Sequence, residues 1–256
     1  MSAIAGIYHF NNHPVPLEHG VKIMEKLSQF PADDIQTWYK ENVFFGCHAQ
    51  WITPESIGEV QPYYDFERGA AITADAIIDN RDELFEALQI KKEWQMTIPD
   101  SQLILQAYHK WGEDCPKHLI GDFAFMIWDD REKKLFGARD FSGSRTLYYS
   151  RSDKRFTFCT TMEPLLSLPY IQKKLNEQWL AEFLAIVGMV DVVDSSITPY
   201  MDIQQVTPAH SISIAQGKVL LNRYCYLTKG EKLKLKSDDE YLEAFKDVFS
   251  KAVNDR

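Results

Sequence analysis

GDFAFMIWDDREKKLFGARDFSGSRTLYYS, residues 121–150, contains the strands around which the rest of the chain is organised. From Phe123 to Trp128 both alternating series are apolar, which is typical of a strand buried on both faces. A charged turn at residues 129–134 precedes a second apolar run, and the segment from Thr146 to Tyr149 continues it after a break. The stretch therefore predicts a core β-hairpin and one further strand in the middle of one sheet system.

Taken with WGEDC at residues 111–115, this stretch resembles a segment of the asparagine synthetase family. The family carries the series WGEDC, GxFAFxIWD and ARDxxGxxPLYY, and this chain departs from it at Thr146, where proline is usual. The resemblance covers residues 3–225 and continues into the last helix. It implies an α+β fold, a four-layer αββα sandwich of the N-terminal nucleophile (Ntn) hydrolase and class II glutamine amidotransferase type.

The sequence indicates one large domain and an extension. The 256 residues are 45% hydrophobic, which is enough to form a full core. We predict a glutaminase-like domain over residues 1–228, a charged linker at 229–239, and the first helix of a C-terminal synthetase domain at 240–256. One face of that helix is apolar, so we expect it to pack against that domain or against a second copy of the chain, as a homodimer.

Charge and cysteine content limit the partners and the setting. The chain has 28 basic and 37 acidic residues, a net charge of −9, which disfavours nucleic acid and anionic membranes. It has no secretory signal and no apolar run of about 18 residues. Its four cysteines form no CxxC pair. We therefore predict a cytoplasmic protein with free thiols and no metal site.

The N-terminal segment MSAIAGIYHF predicts a strand that begins at the position of a nucleophile. In the family the processed N-terminus is a cysteine followed by GIAGI. That cysteine attacks the glutamine amide, with its own α-amine as the base. The matching position here is Ser2, which makes Ser2 the candidate catalytic residue. Serine serves as the nucleophile in other hydrolases of this fold, but we expect Ser2 to be inactive in this chain.

Two further positions of the implied glutamine pocket have lost the family's side chain. The arginine that pairs with the glutamine carboxylate falls on Ala49, and the adjacent His48 would point to the other face of its strand. The family's Asn-Gly-Glu, whose asparagine amide and glycine N–H form the oxyanion hole, falls on residues 74–76. Ala74 has no side-chain donor, and we predict Asp75 to be a turn residue.

Asp100 retains the family's aspartate that binds the ammonium group of glutamine. It also stands at the start of a helix predicted to end near Trp111, so capping of that helix is the more ordinary interpretation. A carboxylate has enough lone pairs for both roles. By the same logic, Asp79 or Asn80 is expected to cap the next helix upstream, residues 81–88.

These losses predict a catalytically degenerate glutaminase-like domain. Losing one oxyanion donor costs about 3 kcal/mol of barrier, and losing the partner of a carboxylate costs about 2–5 kcal/mol of binding. The resemblance implies that the parent protein is an ATP-dependent amide ligase, with ATP and magnesium bound in its next domain and no cofactor in this chain.

TPES at 53–56 and ADAIIDNR at 74–81 favour a lasso-peptide macrolactam synthetase acting on a precursor peptide. Asparagine synthesis from aspartate, with ammonia or glutamine, is the next interpretation. Two other hypotheses remain open: an active N-terminal-serine amidohydrolase, and a non-catalytic module that binds an amino acid.

Overall fold

Two six-stranded antiparallel sheets pack against each other in the computed structural model, which describes residues 1–185, 193–230 and 232–254. The strands are β1 Ala3–His9, β2 Asp34–Lys40, β3 Val43–Ala49, β4 Tyr63–Asp65, β5 Ala70–Ile78, β6 Gly121–Asp129, β7 Lys134–Arg139, β8 Tyr148–Arg151, β9 Arg155–Cys159, β10 Gln204–Gln205, β11 His210–Ala215 and β12 Lys218–Arg223. The first sheet has the order β10-β8-β9-β1-β3-β2, and the second has the order β12-β11-β7-β6-β5-β4.

The helices in the described part of the chain are α1 Leu17–Leu27, α2 Arg81–Leu88, α3 Lys92–Gln95, α4 Asp100–Trp111, α5 Met162–Leu166, α6 Glu177–Ala185 and α7 Asp238–Asn254. Four of them cover the outer faces of the sheets. Buried apolar side chains of α1 and α5 pack on the first sheet, and those of α2 and α4 pack on the second. A third apolar cluster fills the space between the sheets. The predicted four-layer αββα sandwich of the α+β class is therefore confirmed.

Strand β6 explains why the quoted stretch is apolar on both faces. Phe123 and Phe125 belong to the cluster shared with α2 and α4, whereas Met126 and Trp128 belong to the cluster between the sheets. Because successive side chains of a strand point to opposite faces, a strand in an inner layer contributes to two cores. The predicted hairpin is confirmed, since β6 pairs with β7.

The prediction of one sheet system is wrong for the last strand of that stretch. β8 lies in the first sheet, whereas β6 and β7 lie in the second. Between them the side chain of Arg139 donates to the carbonyls of Gly143 and Val206, both at 2.8 Å. The carboxylate of Asp140 accepts the backbone N–H groups of Ser144 and Arg145, both at 3.0 Å. Between β7 and β8 the strand pairing is interrupted, and these side chains bind backbone groups that would otherwise lack partners. The chain can therefore cross from one sheet to the other.

Two aspartates do not have the local roles predicted for them. β5 continues to Ile78, so Asp75 lies within a strand and not in a turn. Asp100 is the first residue of α4, Pro99 is the N-cap residue, and no side chain caps the helix. Asn80 precedes α2 but likewise makes no cap, because its amide bonds to the segment 118–120. The local sequence pattern assigns these three side chains to turns and helix caps, but in the structure they bind residues that are distant in sequence.

The C-terminal helix α7 begins inside the predicted linker, and none of its residues is buried. Phe245 and Val248 are 65% and 72% exposed, and Lys251 pairs with Glu83 of α2 at 2.8 Å. The boundaries 1–228, 229–239 and 240–256 stay predictions, and residues 231, 255 and 256 lie outside the described part of the chain. Of the helices described, none is both long and apolar enough to cross a membrane.

Candidate functional site

A single pocket brings together four of the residues expected from the resemblance. Ser2 stands immediately before β1, Ala74 and Asp75 lie on β5, and Asp100 begins α4. The loop that follows β3 covers them. The complete lining is Ser2, Gln50, Ile52, Thr53, Ser56, Glu59, Gln61, Ala74, Asp75, Ala76, Ile77, Asp100 and Ser101.

The backbone N–H and the hydroxyl oxygen of buried Ser2 both make hydrogen bonds within the protein. The backbone N–H of Ser2 donates to Oδ1 of Asp75 at 3.0 Å. Its Oγ accepts the backbone N–H of Gln50, also at 3.0 Å. A general base must accept the hydroxyl proton of an attacking serine, and a backbone N–H donor cannot do this. In the chain that retains Met1, the contact seen at Oγ therefore holds the side chain in place and provides no base.

Asp75 places a carboxylate beside the candidate nucleophile. Its side chain is buried, and Oδ2 lies 3.6 Å from Nη1 of Arg145. Burial raises the pKa of Asp75 to about 6, although Arg145 and the chain's N-terminal ammonium oppose that shift. The resemblance assigns an oxyanion-hole donor to this position. A carboxylate ionised at neutral pH would instead repel an oxyanion.

The donor groups of the neighbouring position are also unavailable. Ala74 has no polar side chain, and its backbone N–H donates to Oε1 of Gln61 at 2.7 Å. Next to this contact, Ser101 donates its hydroxyl to Glu59. Burial raises the pKa of Glu59, while its hydrogen bonds with Ser101 and Gln61 act in the opposite direction. The covering loop thus fills the pocket with its own hydrogen-bonding groups.

The carboxylate of Asp100 already binds a cation that belongs to the protein. Arg81 of α2 donates from Nη1 to Oδ1 of Asp100, and the N–H of Ile78 donates to Oδ2 at 2.9 Å. The same guanidinium lies 3.5 Å from Glu55 and donates to the carbonyl of Ile98 at 2.7 Å. Burial raises the pKa of Asp100 to about 6, and the charge of Arg81 opposes this. A ligand ammonium would have to displace the guanidinium.

Free space in the pocket amounts to about 20 Å³. A cavity needs about 10–15 Å³ by this measure to hold one water molecule. The pocket therefore has room for roughly one water molecule and not for an amino-acid side chain, unless the covering loop or Arg81 moves.

Ala49 and His48 lie away from this pocket. Ala49 is buried in the apolar cluster between the sheets. His48 is also buried, and its ring contacts the backbone at Met24 and Phe30, on the side of α1. This is the direction that strand alternation predicts for His48, so no cation replaces the family's arginine at either position.

The sequence interpretation missed Gln61, Glu59 and Arg81. TPES, in the loop that carries Gln61 and Glu59, and ADAIIDNR, which ends in Arg81, served only as marks of a subfamily, and none of these three residues was assigned a role in the pocket. One physical signal pointed to Arg81. A buried aspartate at position 100 requires a partner, and Arg81 is the first basic residue after the strand that carries Asp75.

The sandwich fold, with this pocket at the start of β1, is that of a glutamine amidotransferase domain. A sequence profile described as a glutamine amidotransferase domain matches residues 1–225, so the chain belongs to that family. It is 26% identical over 205 residues to asparagine synthetase [glutamine-hydrolyzing] 3 of Bacillus subtilis (strain 168), covering 79% of this chain and 33% of that protein. It is 33% identical over 106 residues to putative asparagine synthetase [glutamine-hydrolyzing] 2 of Methanocaldococcus jannaschii, covering 40% and 21%. The matches thus span a third or less of these relatives.

Solved structures agree with the fold. The glutamine phosphoribosylpyrophosphate amidotransferase of B. subtilis, complexed with ADP and GMP, superposes with a TM-score of 0.58 at 14% identity. The match covers 87% of this chain and 49% of that one. The fold is therefore of the Ntn-hydrolase, class II glutamine amidotransferase type.

Proposed function

We propose that this chain is a glutamine amidotransferase domain that does not hydrolyse glutamine and that forms the N-terminal part of an ATP-dependent amide ligase. The absence of glutamine hydrolysis is supported by one observation: polar groups of the pocket are paired within the protein, and Arg81 forms an ion pair with the carboxylate of Asp100. Glutamine could enter only if this ion pair opened and the loop over Gln61 moved.

Three positions that carry out glutamine hydrolysis in the family have a different residue in this chain. Ser2 has replaced the cysteine, Ala49 cannot bind the glutamine carboxylate, and Ala74 offers no side-chain oxyanion donor. Two such losses together remove about 5 kcal/mol or more of transition-state stabilisation, although such terms are not strictly additive. That energy corresponds to roughly a 10⁴-fold slower reaction.

The ligase half of the proposal is supported by the relatives and by α7. The chain spans a third or less of the asparagine synthetases it matches, and the apolar face of α7 is exposed. We propose that a C-terminal synthetase domain covers this face and activates a carboxylate as its acyl-adenylate. ATP and magnesium are proposed for that domain. In the described part of this chain, no group of three or more His, Cys, Asp or Glu side chains could hold a metal ion.

A macrolactam synthetase acting on a precursor peptide is our first choice for the parent enzyme, and asparagine synthesis with free ammonia is the second. A glutaminase without a working pocket cannot supply ammonia, so the amine must come from another source. Within a peptide, that amine and the activated carboxylate belong to one substrate. A short precursor-peptide gene beside this one would support the macrolactam assignment, and its absence would favour asparagine synthesis.

Ammonia release from glutamine tests the first half directly. Purified chain beginning at Ser2 is incubated with glutamine, and binding is followed in parallel by isothermal titration. We expect neither ammonia nor binding heat. A turnover near 1 per second, roughly the lower end for ordinary enzymes, would overturn the proposal.

Stepwise replacement provides the matched controls for this assay. Ser2→Cys alone is expected to remain inactive, because the oxyanion donor and the carboxylate partner are still missing. Adding Ala49→Arg and Ala74→Asn with Asp75→Gly restores the family's residues at all four positions, and measurable ammonia release is expected only from this set. Activity in the Ser2→Cys variant alone would show that the pocket admits glutamine as it stands.

A further inference from the structure

We infer that Asp75 is a clamp for the α-ammonium group that Ser2 acquires when Met1 is removed. The inference concerns a processed N-terminus and a buried ion pair. It holds whether or not the domain hydrolyses glutamine, because it rests on the contacts of Asp75 itself.

The carboxylate of Asp75 is poorly satisfied by the unprocessed chain. The side chain is 4% exposed, and its Oδ1 accepts a neutral backbone N–H, that of Ser2, at 3.0 Å. Among the described residues, Oδ2 has no hydrogen-bond partner, and its ion pair with Arg145 is long, at 3.6 Å. Leaving a buried carboxylate with so few partners is costly, so this geometry calls for a further positive charge beside it.

Removal of Met1 supplies that donor at the right place. An aminopeptidase would break the C–N bond between Met1 and Ser2, with water giving its hydroxyl to the carbonyl carbon of Met1 and a proton to the nitrogen of Ser2. The proton of the new carboxyl group passes through solvent to the amine. The Ser2 nitrogen then has three N–H donors and a positive charge, 3.0 Å from the position of Oδ1.

The surroundings of Met1 and Ser2 suit such processing. The Met1 side chain is 44% exposed, and its amine bonds to the side chain of Gln50 rather than to the buried carboxylate. Ser2 has a small side chain. The charged groups that act most on Asp75 are Arg145, the N-terminus and, from β6, Asp122, and the carboxyl groups of Glu59 and Asp100 line the same pocket. A second cation beside this carboxylate favours the ionised form of Asp75 and the protonated form of the amine. A clamped ammonium cannot act as a base.

Two forms of the chain test the clamp. Mass spectrometry establishes whether the purified protein begins at Ser2, as we expect. A form that keeps Met1 is made by inhibiting methionine aminopeptidase during expression. Thermal unfolding is then compared between the two forms. We expect the Ser2 form to melt about 2–4 °C higher, the shift that a buried charge-assisted contact produces in a chain of this size.

Asp75→Asn is the decisive variant and Asp100→Asn is its matched control. Asp100 is an equally buried aspartate of the same pocket that does not contact Ser2, so its variant should keep the gain on Met1 removal. Asp75→Asn should lose the gain. Retention of Met1 in the purified protein, or an equal gain in Asp75→Asn, would overturn the inference.

If Asp75→Asn fails to fold, the wild-type chain still decides the question. The pKa of its α-amine is read from the pH dependence of acylation at the N-terminus. A clamp raises this pKa above the ordinary value of about 7.7–8.0, whereas an ordinary value would contradict it.

Discussion

The pocket around Ser2 and the exposed helix α7 differ in how their groups are satisfied. In the pocket, the polar groups expected to bind a substrate are paired with the protein itself, as Asp100 is with Arg81 and Ala74 is with Gln61. On α7, large apolar side chains such as Phe245 and Phe249 face solvent. In the region that the resemblance assigns to chemistry, Asp100 and Ala74 are thus already paired within the protein, while the apolar face of α7 has no such partner among the described residues.

Buried ion pairs in the pocket and exposed apolar side chains on α7 contribute differently to stability, so mutations can distinguish the two regions. An uncompensated charge inside the pocket costs several kcal/mol, because the buried partner cannot regain water. An exposed apolar side chain forfeits about 1.5–3 kcal/mol relative to burial, yet it costs the isolated chain nothing further when it is removed. Mutations in the pocket should therefore act on folding, and mutations on α7 should act on association.

The largest effect is expected from Arg81→Met, which leaves the carboxylate of Asp100 buried without its cation. We expect the free energy of unfolding to fall by about 3–5 kcal/mol, measured by urea denaturation. The double variant Arg81→Met with Asp100→Leu should recover most of that loss, since neither charge remains.

The matched control for this experiment is Lys251→Met, which breaks the exposed pair between α7 and Glu83. Exposed ion pairs contribute about 0–1 kcal/mol, so this variant should change stability little. If Arg81→Met were equally mild, the pocket would not depend on internal pairing and could open for a ligand.

A smaller effect is expected from pH acting on Asp100. Its pKa of about 6 in the folded chain lies above the value of about 3.9 for an unfolded aspartate. The folded state therefore binds more protons between these values, and the stability from the neutral carboxyl is lost as the pH rises through about 6. Relative to wild type, Asp100→Asn should gain about 2–3 kcal/mol between about pH 4 and pH 7, measured by urea denaturation at each pH.

Asp130 provides a control of opposite sign. Burial acts to raise its pKa, but its hydrogen bonds with Lys40 and Lys133 outweigh burial, and the pKa is lowered. Asp130→Asn should therefore lose stability relative to wild type as the pH rises through the acidic range. A change of the same sign in both variants would mean that the pH dependence does not arise from these individual carboxyl groups.

The fold was predictable where the pattern is local. The two apolar series from Phe123 to Trp128 are enough to predict an inner strand, because alternation alone determines which side chains share a face. The sheet of β8 was not predictable in this way. It depends on Arg139 reaching the carbonyl of Val206, 67 residues away in sequence, and no periodicity encodes that contact.

The residues of the candidate site also differ in whether the sequence could predict them. The resemblance located Ser2 and Asp100, and the structure places both in one pocket. Asp75 was predicted to be a turn residue, but it lies within β5, and its partner Ser2 lies 73 residues away. Arg81 and Gln61 were missed for a related reason, since nothing in the local pattern shows that their side chains reach Asp100 and Ala74. Side-chain pairing over long sequence separations is what the sequence alone did not provide.

The smallest effect on stability is expected on α7, where it separates folding from association. Phe245→Ser with Phe249→Ser removes two exposed rings that stack on each other at 5.8 Å between centroids. Because both rings face solvent, the free energy of unfolding should change by only about 0.5 kcal/mol or less. If the apolar face of α7 joins two copies of the chain, light scattering should show a dimer for the wild-type chain and a monomer for the variant. A stability loss of several kcal/mol would show instead that α7 packs on its own domain, and the face would then need no partner.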